Sequence, residues 1–167
     1  MKSQHCYVQR QRGAISAEFA MVAAFIVIAL IFIVSQAPKL VFKINEMRFV
    51  SQASEISQEA QAWKKFRPNF KGVTIKVVCE DGSLSKSICG AANDGKATNP
   101  FGGDWILAAP ESNLGTIAVT GKIPNETDKK KITSVANAIA PSTRSNCMSG
   151  SNCSSLTVGA DSLTMIY

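Results

Sequence analysis

Histidine is all but missing from this chain: there is one, His5, and it precedes every segment that could fold around it. No Cys-x-x-Cys spacing occurs, so the ligand pattern of a zinc site is absent. No nucleophile elbow or paired acids stand in a recognisable context, and Asp104, Glu111 and Asp161 are isolated carboxylates. A nucleophile–base constellation therefore has nothing to be built from, and no enzyme activity, metal or cofactor is expected. Phosphate-cradling loops are missing too. Phe101-Gly102-Gly103-Asp104 lacks both GxGxxG and GxxxxGK spacing and reads as a tight turn. There is no internal repeat and no long disordered tract.

Positive charge is present, but not as a polyanion-binding surface. The formal net charge is +6. Lys2, Arg10 and Arg12 supply three of these charges ahead of the apolar run, which leaves 15 basic against 12 acidic side chains in the remainder. Those cations are scattered and are not interleaved with stacking aromatics, as a nucleic-acid groove requires. The run Lys129-Lys130-Lys131 reads as a solvated face.

What is present in abundance is one apolar stretch. Residues 1–13, MKSQHCYVQRQRG, are polar and basic and read as a leader. Residues 14–34, AISAEFAMVAAFIVIALIFIV, are apolar apart from Ser16 and Glu18. As a helix they reach about 31 Å, against a bilayer core of about 30 Å. Basic residues flank both ends, with the N-terminus inside favoured. An ordinary signal peptide cut after Ser35-Gln36-Ala37 would place Pro38 directly behind the cut, and the run is long for one. A plain membrane anchor would let Glu18 snorkel towards headgroups.

Beyond Pro38, which should kink or loosen a helix, Leu40, Ile44, Met47, Val50, Ala53, Ile56, Ala60 and Trp63 recur at three- and four-residue spacing. This predicts an amphipathic continuation ending near Arg67 and Pro68. Short β-rich runs follow at 73–79, 104–108, 116–123 and 162–167, punctuated by Gly, Pro and Asn. A short helix is predicted over 128–140, entered through Asn125-Glu126-Thr127 and stopped by Pro141, with Ile132, Val135, Ala136 and Ile139 on its apolar face. The expected organisation is a leader at 1–13, a transmembrane or core helix at 14–37, an amphipathic half at 38–68 and a globular head at 69–167. The fold class is α+β, a long N-terminal helix laid on a mostly antiparallel sheet.

Cys79, Cys89, Cys147 and Cys153 all follow the apolar run, in a region rich in small polar residues. An even set in an exported domain reads as two disulfides, each contributing about 2–3 kcal/mol. Cys6 lies ahead of the run and would leave with the leader.

Three features coincide at the start of the run: Arg12-Gly13, a small residue at Ala14, and Glu18 followed by Phe19. A carboxylate inside an apolar span costs about 2.5–3.5 kcal/mol and normally has a partner or a function. Were the chain cut after Gly13, the new amine of Ala14 would lie about one turn from Glu18. A neighbouring copy's amine could then neutralise the acid.

The stretch RG-AISAEF and the run behind it resemble the class III leader and N-terminal helix of type IV pilins and pseudopilins. The segment Asn99-Pro100-Phe101-Gly102-Gly103-Asp104-Trp105, followed by Ile123-Pro124 and a short helix, is similar to the b-type pilins of conjugative thin pili and toxin-coregulated pili. The resemblance implies cleavage between Gly13 and Ala14 by a prepilin peptidase, N-methylation of Ala14, and docking guided by Glu18. It further implies an inner-membrane subunit that polymerises with copies of itself and with minor pilins through a pilus assembly machinery. The resulting extracellular filament would meet host or recipient cell surfaces. Pilins of that type often join a cysteine in the short helix to one near the C-terminus. The helix over 128–140 has none, so local pairs, Cys79–Cys89 and Cys147–Cys153, are expected instead, with crossed pairing left open. Ala17-Glu18-Phe19-Ala20 also resembles accessory pilin-like proteins of tight-adherence systems.

Overall fold

The computed structural model describes residues 14–82 and 84–167. Its first element, α1, is a helix over Ala14–Lys64 that continues through Pro38. By contacts the chain divides into two units, Met1–Val41 and Phe42–Tyr167. In the first unit the helix has no glycine, and a backbone in apolar surroundings closes its own hydrogen bonds most completely as a helix. At its far end α1 stops at Lys64, three residues before the expected Arg67. Lys65 enters the left-handed region at φ 44°, a helix-ending conformation. Arg67 then folds back, its guanidinium 4.2 Å from the centre of the Trp63 ring and donating to the Trp63 carbonyl.

Within Phe42–Tyr167, α1 buries Phe42, Glu46, Phe49, Ala53, Ile56, Ala60 and Trp63, alternating steps of four and three. From Ala53 onwards this is the predicted stripe. Before it, the face is rotated: Met47 is 59% exposed while Phe42 and Phe49 are buried. Both stripes are apolar, and the large rings win the core because they meet partners there. Phe49 lies 4.6 Å from Trp105 and 5.6 Å from Phe101, and Phe42 lies 5.6 Å from Phe101.

The head begins with two short helices, α2 (Ile75–Glu80) and α3 (Lys86–Cys89). The β-branched residues of 73–79 predict a strand, and the structure overturns this. Thr74 caps α2 by accepting from the Val77 amide, and Ile75, Val78 and Cys79 bury at helical spacing. Cys79 is bonded to Cys89, joining α2 to α3, and Cys147 to Cys153.

Four strands form one antiparallel sheet: β1 (Trp105–Ala108), β2 (Ala118–Lys122), β3 (Leu156–Val158) and β4 (Ser162–Ile166), in spatial order β1-β2-β4-β3. Register puts Trp105 opposite Gly121, Val119 opposite Met165 and Leu163 opposite Val158. Alternate residues Trp105, Leu107, Val119, Leu163 and Met165 are buried, as a half-buried sheet requires. Strand β3 is absent from the predicted set, because three residues are too few for alternation to register. The predicted helix over 128–140 is two helices, α4 (Glu126–Lys129) and α5 (Ile132–Ile139). Asn125 caps α4 through the Thr127 amide. The helix breaks at the lysine run, where Lys131 instead lies over the Phe42 ring at 4.5 Å. Ile132, Val135, Ala136 and Ile139 form the expected buried face of α5. Pro141 lies within a 3₁₀ turn over Ala140–Ser142.

The architecture is thus α+β, a long N-terminal helix packed on a four-stranded antiparallel sheet, consistent with a pilin-like fold. Helix and sheet approach closely at Gly121. A Cβ there would stand 2.4 Å from the Phe49 ring and 2.8 Å from Trp105, so only glycine admits both rings. The Trp105 indole N–H donates to Gln52 Oε1 at 3.1 Å, which satisfies the one polar atom of that ring.

Candidate functional site

The feature that stands apart is the first unit's apolar surface. Between Phe19 and Val34, twelve large apolar side chains are exposed, Phe25 by 79% and Phe19 by 76%, and they point in every direction around the helix. Burying one such side chain fully is worth about 1.5–3 kcal/mol, so leaving twelve in water would cost on the order of 20 kcal/mol. The helix is long and apolar enough to cross a membrane, and none of its most apolar 18-residue window is buried within the chain. Such a surface requires cover from lipid or from other apolar helices.

Glu18 lies on this surface, exposed, and is the one formally charged side chain between Ala14 and Pro38. Ala14 is the first residue of α1, so the two stand four residues, about one turn, apart. Gly13, the predicted cleavage residue, lies outside the described residues, as do the rest of the predicted leader and Cys6. Phe19 follows Glu18 and is exposed beside it. Pro38 lies inside α1.

The head offers a fixed platform. Asn99 is buried and organises the turn after it: its Oδ1 accepts from the Phe101 and Gly103 amides, and its Nδ2 donates to the Lys122 carbonyl at 2.7 Å. Gly103 packs so closely on Lys122 that a Cβ would lie 2.2 Å from its carbonyl oxygen. The turn is thereby held by its own side chain and by β2, and Phe101 is delivered onto α1. Among the described residues, no three of His, Cys, Asp or Glu are grouped so as to hold a metal.

One charged residue escaped the sequence reading. Glu46 is 2% exposed, paired with Lys43 at 2.8 Å and accepting from the Ser134 hydroxyl at 3.4 Å, so it ties α1 to α5. The available signal was its position between Phe42 and Phe49 at spacings of four and three. The apolar exposure also outlasts the predicted span, since Leu40, Val41 and Met47 are all more than half exposed.

Comparison with protein-family models, with curated proteins and with solved structures found no match for this chain.

Proposed function

We propose that this chain is the precursor of a type IV pilus subunit, of the b type, and acts as a structural protein. In this reading a prepilin peptidase cuts after Gly13 and methylates the amine of Ala14. Copies then leave the inner membrane for an extracellular filament, through an assembly machinery and alongside minor pilins. The filament serves adhesion, aggregation or conjugative contact. The observation that carries the proposal is the exposed apolar helix surface holding a single carboxylate at Glu18.

The physics of assembly follows from that surface. Before assembly lipid covers it; in the filament the same side chains of neighbouring copies cover one another, with dispersion and close packing favouring association. A lone carboxylate in such a core is costly, and it selects the stagger at which a neighbour's Ala14 amine neutralises it. The α+β class supports the reading, since a long N-terminal helix on an antiparallel sheet is consistent with a pilin-like fold.

N-terminal mass spectrometry of the protein from its native host tests the proposal. Methylated Ala14 is the expected first residue. A chain that keeps residues 1–13 while functioning would overturn it. An uncut helix or a cut near Ala37, with monomers only, would point instead to a membrane-anchored extracytoplasmic binding module. The likeness of Ala17-Glu18-Phe19-Ala20 to accessory subunits favours, as the second reading, a minor pilin or pseudopilin of a secretion or tight-adherence system. Filaments built without this chain as their main component would select it.

A further inference from the structure

A cleft of about 390 Å³ opens in the head where the end of α1, the Phe70 loop, the Gly115 loop and the end of β4 converge. Gln61, Lys64, Phe70, Ile117, Arg144 and Tyr167 line it. Its frame is pinned by main-chain bonds. The Phe70 amide donates to the Leu114 carbonyl, Ile117 and Tyr167 exchange both of theirs, and the Arg144 amide donates to the Ile166 carbonyl. Phe70 and Ile117 are buried and make a firm floor. The cavity is therefore preformed, near the lower end of the range of about 300–1,000 Å³ usual for small-molecule sites.

Charge gives it a preference. Two cations, Lys64 and Arg144, line the cleft and no acidic side chain does. Ion pairs join Lys43, Lys65, Lys76, Lys96 and Lys129 to acids elsewhere, and neither cleft cation has one among the described residues. Lys64 is held over the Phe70 ring at 4.8 Å, which positions its ammonium without neutralising it. Burial raises the pKa of the Tyr167 hydroxyl, so that group stays neutral at neutral pH. Were Tyr167 to carry a free α-carboxylate, the cleft would still keep one net positive charge.

We propose that this cleft binds a small hydroxylated organic anion, a carboxylate or a phosphate ester of about one sugar ring. Arg144 and Lys64 take the anionic group by charge-assisted hydrogen bonds, and the Gln61 amide meets a hydroxyl. The site lies wholly within Phe42–Tyr167 and does not depend on filament assembly.

The test is calorimetric titration of the full chain in polyoxyethylene detergent with glucuronate, glucose 6-phosphate and neutral glucose. At least one anion is expected to bind saturably, with glucose far weaker; which anion binds distinguishes carboxylate from phosphate recognition. Arg144→Gln and Lys64→Gln should each weaken binding about tenfold. Lys71→Gln, an exposed lysine outside the lining, should leave it unchanged. Circular dichroism establishes that each variant is folded. Lack of saturation by either anion below about 10 mM, equal binding of glucose, or binding indifferent to the Arg144 and Lys64 changes would overturn the proposal.

Discussion

The two units of this chain use the same kinds of side chain in opposite ways. From Phe42 onwards most Phe, Ile, Leu and Val are buried or half-buried, Phe66, Ile106 and Val158 excepted, and the helix shows the core one stripe while its other faces carry Gln, Glu, Ser and Lys. Over residues 16–41 the same residue types are outside on all faces. The difference separates two tasks that a single helix element shares. Packing between α1 and the sheet holds the fold together, whereas the first unit's surface takes part in none of that packing and, under the proposed function, serves association. Substitutions should sort accordingly.

The largest effect is expected where the comparison is sharpest. Glu18→Ala should lower filament yield by more than about tenfold, seen by electron microscopy and shear-fraction blotting, while thermal unfolding of the head stays unchanged. Loss of head stability in that variant would erase the separation. Phe49→Ala does the converse: it removes the ring shared by Trp105 and Phe101 and should destabilise the head by about 3–5 kcal/mol in denaturant titration.

Those two sites also show how far the sequence was legible. The apolar run, Glu18 within it, and the stripe from Ala53 to Trp63 were open to reading as helix, because run length and three- and four-residue spacing show in the sequence itself. The rotation towards Phe42 and Phe49 was not, since Leu40 and Met47 form an equally apolar stripe and only tertiary partners choose between them. Residues 75–80 misled for a related reason. Their β-branched side chains favour a strand in isolation, but the Thr74 cap, the Cys79–Cys89 bond and helical burial outweigh that preference. Leu156–Val158 is a strand because β4 offers it an edge, which no local pattern announces. Of the candidate site, Glu18 and Phe19 were visible as chemistry, whereas the Lys64–Arg144 cleft joins positions 80 residues apart along the chain and only folding brings them together.

Smaller effects sharpen the picture within the head. Replacing Cys79 and Cys89 together by serine should cost about 2–3 kcal/mol, because the loop they close is short, with a sequence separation of 10. Calorimetry with and without reductant would check it, and no change in membrane association should accompany it. The smallest shift comes from Tyr167. Its hydroxyl is buried without a hydrogen bond of normal geometry, although nearby Ser142 offsets part of the burial penalty. Tyr167→Phe should therefore leave stability equal or raise it by about 1 kcal/mol in chemical denaturation. Because burial raises this group's pKa in the folded chain, the wild-type head should lose stability as pH climbs above about 10. The Phe variant should lose less over the same interval.

Of the two cystines one joins α2 to α3 inside the core and the other closes a single loop, and neither bonds to α1. What joins α1 to the rest of Phe42–Tyr167 is therefore noncovalent, and the rings of Phe42 and Phe49 against Phe101 and Trp105 are part of it. Reduction of both cystines would thus leave the contacts between those rings in place.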